Sequence, residues 1–540
     1  VIARIEQMQK KFGLLFLLLM LSAAAIAQKK VQLQHADSLK GSMKDGKRFD
    51  KLLGHVVFVQ NQTTIYCDSA YFFKSDNKLD AFGHVHITDD SVDITSIKLS
   101  YDGNKKIAYL RNQVVFEKLG IMKLYTDFLD YDRVKNFAKY FNKGKLVDTT
   151  NVLTSEKGYY DVRTNLASFK KDVVGVNKEN TLTTDTLQYN SKTKIVYFRD
   201  FTTLNDNEGK TAYYQNGEYN TIKKFSTLAN GEMESPSYKI KGDKYFIDNI
   251  AKLYKVKGHV IMTSKTENML IYGDDGFYDK KNGISKVYGN SYAVKVDDEG
   301  DSLFISADTL VSLENINPKK KRLLAYHDVK IFKIGMQGKA DSLAYVSADS
   351  MLYFYREPVL WNEENQMTAD SIRILLNNKK ISRIFMVGNS FVVSQDSLRN
   401  FNQIKGRRMT AFFEKNKIHH VIVEGNGESI YHALEEKEIK KDSLLIKITF
   451  LTGMNKIICS NLRINFKEGK VNNVTFYVKP DATFFPPQEI KETDRKLKGF
   501  IWLAKLRPRK EDVVKGKKHR KAPPQESLEP KAKENPQTKF

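Results

Sequence analysis

Cysteine is nearly absent: Cys67 and Cys459 stand far apart in a chain of 540 residues. Two cysteines build neither a disulfide framework nor a four-ligand metal site, which excludes small stapled scaffolds and structural zinc folds. The count leaves one long-range disulfide open, while the alternating run around Cys67 favours a small buried hydrophobe. Proline is scarce too, and only Pro236, Pro318 and Pro358 precede residue 480. No 3.6-residue apolar period persists over three turns, so few helices are expected. Acidic residues fall short of basic ones, 64 against 88, giving a formal charge of +24. That excess calls for an anionic partner: nucleic acid, a phosphorylated lipid or a membrane surface.

Long apolar runs are missing except near the start, where Lys10-Lys11 precede Phe12–Leu21 and then Ala25-Ile26-Ala27. A basic region, a short apolar core and an A-x-A site predict a secretory signal peptide over 1–27, cleaved after Ala27. An uncleaved anchor is the alternative, but the run is shorter than the ~20 residues a membrane span needs. Export removes nucleic acid from the list of partners.

What is abundant is β-former, with 27 Tyr and 32 Phe. These residues fall into a repeat. Val56, Val85 and Val114 recur every 29 residues, each opening a short run after a Gly/Asn-polar step. An alternating Asp-x-Leu-x-Tyr strand follows, as in Asp127-Phe128-Leu129-Asp130-Tyr131, which predicts Asp127, Leu129 and Tyr131 on one face. Polar turns such as Asp102-Gly103-Asn104-Lys105 then supply hairpin geometry. The glycines mark bulges or corners. Later copies include Thr184–Asn190, Gly258-His259-Val260, Ala340–Tyr345 and Ala369–Ile374. The longest interruption spans Leu434–Thr452.

The expectation is an all-β chain, an elongated stacked β-jelly-roll or β-solenoid of about thirteen repeats of ~29 residues, with a disordered basic C-terminal tail. Boundaries are placed at 1–27 (signal peptide), 28–250 and 251–480 (two halves of repeats, the second more divergent) and 481–540 (apolar cap segment and tail).

Gly-polar-Val followed by Asp-x-Leu-x-Tyr, behind a signal peptide, resembles the OstA/LptA family of lipopolysaccharide transport proteins, related to the periplasmic domain of LptD. His35-Ala36-Asp37-Ser38-Leu39 ahead of Leu53-Gly54-His55-Val56-Val57 resembles the start of that family's mature domain, and Lys241–Tyr245 another of its strands. The resemblance is strongest over 31–200 and continues to about 480. It implies a periplasmic protein, associated with the outer membrane or free, that shields lipid A acyl chains in an apolar groove during outer-membrane lipopolysaccharide assembly. Ala70, Phe72, Leu99, Tyr101, Leu129, Tyr131, Leu187, Tyr189, Ile372 and Ile374 are the expected groove lining, with a closed core as the bland reading of the same face. Implied partners are lipopolysaccharide, other jelly-roll transport components joined by edge-strand addition, and an anionic membrane met by the basic tail.

The competing class is an exported β-solenoid scaffold or adhesin without a lipid path. A β-helix polysaccharide lyase would need a clustered basic or carboxylate site. The repeated Asp recurs too regularly for catalysis and reads as turn capping or edge placement. His55, His84 and His259 share one repeat slot, a structural position and not a ligand set. Asp89-Asp90 and Asp297-Asp298-Glu299 lack calcium-loop spacing. No nucleophile elbow or phosphate loop occurs, so no enzyme, metal or cofactor is expected. Phe500 to Leu503 carries Trp502, expected to cap the last rung or insert at an interface.

Overall fold

The computed structural model describes residues 30–514, apart from interruptions of one to three residues such as 45, 90–91 and 468–469. The expected signal peptide and the tail beyond 514 lie outside the described residues. Thirty-five strands are present among those residues, and the one named α-helix is a single turn, Lys510–Val513. The all-β expectation holds. The chain divides into two compact units between Lys224 and Phe225.

In the first unit consecutive strands pair antiparallel through hairpins, and each long strand bends at its middle. The strand Ile107–Lys118 shows how. Against Met122–Asp132 its register runs Arg111↔Phe128 and then Val114↔Thr126, so Asn112 and Gln113 face Asp127 alone. Both extra residues have positive φ, 66° and 50°. Two such residues bulge the strand and turn it sharply. The bend recurs at Gly54-His55, Gly83-His84, Asn142-Lys143 and Lys171-Asp172.

The bends divide each strand between two walls. Leu99, Tyr101, Leu110, Leu129 and Tyr131 are buried on one, and Ile94, Val114, Phe116 and Leu124 on the other. Rings meet between them: Phe58 lies 5.1 Å from Phe72 and Phe116 6.0 Å from Tyr131, centroid to centroid. The core therefore sits between the walls. The bend also corrects the phase expected for the Asp-x-Leu-x-Tyr run. Leu129 and Tyr131 point inward, but Asp127 is exposed, because the bulge falls between it and Leu129.

At the strand ends opposite the bends, an Asp or Asn closes the first-wall hairpins from Asp102 onward. Asp102 Oδ1 accepts the backbone N–H groups of Asn104 and Lys105 at 3.1 and 3.0 Å, and Asp132 does the same for Val134 and Lys135. These side-chain turns explain why Asp or Asn ends the strand. Successive turns also bond to one another, as in Arg133 N to Lys106 O and Val162 N to Asn136 O.

The second unit repeats the bends at Gly258-His259, Gly289-Asn290, His327-Asp328, Gly388-Asn389 and Gly425-Asn426. Leu228, Tyr245 and Val260 are buried near its start, and one continuous cluster of its interior runs from Ala307 through Ile372, Ile374 and Met409 to Ile464. Two features depart from the repeat. Strands Lys417–Lys441 and Leu444–Lys467 stay paired from Leu434↔Leu451 to Lys441↔Leu444, forming a two-stranded arm where the sequence showed its longest interruption. Glu435–Glu438 on that arm are exposed.

The other feature is a strap, residues 486–514, which crosses the strands. Val392 packs against the interior, whereas its neighbours Phe391 and Val393 pack with Leu497 of the strap, so the strap lies on the outer face. Farther along, Val513 and Val514 cover Tyr292 and Phe304. Trp502 was expected at the last rung or an interface. It packs instead on Phe401, ring centroids 5.2 Å apart, beside Phe500.

The two cysteines form no disulfide. Both are free and buried, and burial pushes the Cys67 thiol up to about 12.

Candidate functional site

All ten residues expected to line a groove are buried. Eight of them lie in the first unit, where alternation brings them to one wall. Register places Leu99 beside Ala81 and Leu110, and Tyr131 beside Ala108 and Ala138. Ile372 and Ile374 belong to the second unit's interior. Reading the Asp-x-Leu-x-Tyr strand alone misses the opposite wall, built by Phe58, Ile94, Phe116 and Leu124. Its signal is the Val-Val-Phe and Val-His-Ile alternation after each bend.

The interior is apolar and tight. Phe116, Leu124, Leu129, Tyr140, Tyr160 and Phe169 are among the residues around a cavity of about 20 Å³, room for a single water. Two of the interior's tyrosines, Tyr131 and Tyr140, are held neutral. Burial pushes Tyr131 up to about 12, with Asp89 adding to the effect, and burial does the same to Tyr140, opposed by its hydrogen bond to Ser155.

The edge opposite the bends is closed by polar contacts between the walls. Gln60 Nε2 donates to Gly103 O at 2.9 Å, and its Oε1 accepts from Tyr101 Oη at 2.5 Å. One repeat on, Arg133 Nε donates to Asp89 Oδ2 at 2.7 Å. After another repeat, Lys118 Nζ donates to Tyr160 Oη at 3.0 Å and Asn165 Oδ1 at 2.5 Å. Gln60, Asp89 and Lys118 are 29 residues apart, each four residues after the repeat valine. That spacing was visible in the sequence as a polar residue ending each second-wall run.

The bends form a separate, exposed series. Asp37, Asp68 and Asp243 each accept from a histidine Nδ1 (His55, His84 and His259) at 2.7–2.8 Å. Asn290 and Asn389 make the same bond to Asp274 and Asp370. The repeated Asp and the repeated His are thus two halves of one structural contact. The glycine before each histidine leaves room for it: a Cβ on Gly54, Gly83 or Gly258 would collide with the facing carboxylate. Among the described residues, no group of three His, Cys, Asp or Glu side chains is placed to hold a metal ion.

A family described as OstA-like protein matches residues 28–179 and 159–243. Among solved structures, one similar to the chain is the crystal structure of LptH from Pseudomonas aeruginosa, titled the LptA homologous periplasmic component of the conserved lipopolysaccharide transport device. It is 13% identical, the match covers 22% of this chain and 82% of that one, and the TM-score is 0.19. No curated protein matches the sequence.

Proposed function

Since the chain is a member of the OstA/LptA family through residues 28–243, we propose that it is a periplasmic carrier of lipopolysaccharide, holding lipid A acyl chains between the two walls. One observation carries the reading: in that region inward-facing Leu, Ile, Val, Phe and Tyr side chains line both walls repeat after repeat. Each methylene moved out of water gains ~0.8 kcal/mol, so an acyl chain costs on the order of 10 kcal/mol to carry unshielded. A run of apolar rungs offsets that cost along its whole length.

Ala70, Phe72, Leu99, Tyr101, Leu129, Tyr131, Leu187 and Tyr189, with Ile372 and Ile374 in the second unit, are the proposed lining. Entry of an acyl chain requires the walls to part at the edge opposite the bends, where side-chain contacts and not covalent chain join them. Jelly-roll partners are proposed to add at the last strands. Lys470–Tyr477 pairs only with Leu444–Lys467 among the described residues and exposes Val471, Val474 and Tyr477. The basic tail is proposed to meet an anionic membrane.

The tightness of the interior favours a second reading, an exported scaffold with a solid core. Photo-crosslinking in cells separates the two. Probes at Phe72, Tyr101, Tyr131 and Tyr189 are expected to capture lipopolysaccharide, and probes at the exposed Tyr109 and Tyr125 are not. Adducts from the outward pair alone would leave the scaffold reading standing.

A further inference from the structure

The contacts closing the first unit are not equivalent. Gln60 is fully engaged, by Gly103 and Tyr101. Arg133 is not. Its Nε bonds Asp89 and the guanidinium also meets the Tyr101 hydroxyl, but its Nη1 is buried with no hydrogen-bond partner, the pair being only 12% and 14% exposed. A buried guanidinium donor left empty is unfavourable, and such groups ordinarily find an acceptor. Lys118, the next cation along the same edge, is half-buried and bonds only neutral oxygens, Tyr160 Oη and Asn165 Oδ1. Register places it near Arg133's carboxylate partner. Asp89 pairs Val92 and Val92 pairs Lys118, so Asp89 and Lys118 are two strands apart, about 10 Å. Two cations and one carboxylate therefore stand where the apolar interior meets water, with one guanidinium donor empty.

We propose that Arg133 and Lys118 form a phosphate-binding site at the mouth of the first unit's interior, reading the phosphorylated headgroup of the lipid whose chains enter between the walls. The inference rests on the carrier reading given above. Asp89 holds Arg133 across the closed edge. A phosphate takes its place, because a tetrahedral oxyanion engages Nε and Nη together whereas Asp89 reaches Nε alone. Loss of the Asp89 bond parts the two walls at that rung, so headgroup recognition and admission of the acyl chains become one event. The headgroup phosphate ends beside Tyr101 and Tyr131, two of the proposed lining residues.

The test measures binding of the full chain to lipid A bearing both phosphates, to its dephosphorylated form and to inorganic phosphate. The parent chain is expected to prefer the phosphorylated lipid by about tenfold. Arg133→Gln and Lys118→Gln are expected to lose that preference, and Arg133→Gln, which also releases Asp89, is expected to bind the dephosphorylated lipid more tightly than the parent does. Asp89→Asn removes the competing carboxylate and is expected to widen it. Circular dichroism checks folding, and the half-buried Lys118 keeps the question open if Arg133→Gln unfolds. Inorganic phosphate is expected to compete with the phosphorylated lipid in the parent chain and not in the two Gln variants. Equal affinity for the two lipids in the parent, or a preference unchanged in both Gln variants, overturns the phosphate site alone. Binding of neither lipid overturns the carrier reading and the site with it.

Discussion

Gln403 and Leu497, far apart in sequence, are joined by a two-way amide contact. Gln403 Oε1 accepts from Leu497 N at 2.8 Å, and its Nε2 donates to Arg495 O at 2.7 Å. Gln366 treats Leu503 N and Ile501 O the same way, at 2.6 and 2.8 Å, and Gln337 accepts from Arg507 Nε at 2.6 Å. A buried amide so paired mimics a strand partner; two of them, with Gln337 holding the Arg507 side chain, fasten the strap across the sheet.

Gln403→Ala leaves the Leu497 N–H and Arg495 carbonyl without partners in a buried site, at a cost of about 1–3 kcal/mol. The loss is local, because the strap lies outside the interior. Hydrogen exchange at Leu497 is expected to accelerate by about 10- to 100-fold while Ile372 and Met409 stay protected. Equal acceleration at both places would show that strap and interior open together.

The bends make a steric prediction. Gly83 has φ of +72°, and a Cβ there would collide with the Asp68 carboxylate, whereas Gly120, at +70°, has open space. Gly83→Ala carries the left-handed penalty of about 1–2 kcal/mol plus the collision, and Gly120→Ala only the penalty. Thermal unfolding of the two variants is expected to differ accordingly. Adding Asp68→Ala to Gly83→Ala is expected to recover part of the loss.

The His55–Asp37 bend makes a prediction about pH. The Asp37 hydrogen bond raises the His55 pKa above 6.5, and the His55 and His35 hydrogen bonds lower that of Asp37 below 3.8. The histidine's contribution is fully present below pH 6.5 and is lost as pH rises through the raised value. The carboxylate's is present above pH 3.8 and is lost as pH falls through the lowered one. The bend is therefore firmest between those limits. An NMR titration is expected to find His55 above its ordinary value in the parent chain, and back at that value in Asp37→Asn.

The repeat, the bends and the buried Leu/Tyr wall were legible because each is a local pattern: period two within a strand, or Gly-His at a fixed step. Asp127 was misplaced by the same rule, since period two breaks where two residues face one. Gln337, Gln366 and Gln403 were illegible for another reason. An isolated glutamine reads as surface, and what buries Gln366 is strap backbone 135 residues away. Arg133 is similar. Its turn position is plain in sequence, but its reach across to Asp89 exists only once two walls face each other.

The two-stranded arm of the second unit is expected to be expendable for folding. Its described side chains at Glu435–Glu438 are exposed and its strands pair only with each other beyond Leu434↔Leu451. Replacing residues 436–449 by a two-residue turn is expected to change stability by less than about 0.5 kcal/mol. A larger loss in denaturant unfolding would assign the arm a packing role.

Tyr140 sets the sharpest test of how the first unit is packed. Its hydroxyl is hydrogen-bonded to Ser155 Oγ at 2.6 Å, and its ring lies against two glycines, Gly144 and Gly158. A Cβ on either glycine would sit inside van der Waals contact of the ring. Gly158 is not at a left-handed φ, so alanine there meets no backbone penalty and the ring is the sole obstacle. Gly158→Ala alone is expected to cost about 1–3 kcal/mol by overpacking. Tyr140→Ala alone is expected to cost about 3–5 kcal/mol by leaving a cavity. In the Tyr140→Ala background, Gly158→Ala should cost close to nothing, because the added methyl enters the space the ring vacated. A double-mutant cycle by denaturant unfolding reads this directly. Strict additivity would mean that backbone preference, and not the ring, selects glycine at 158.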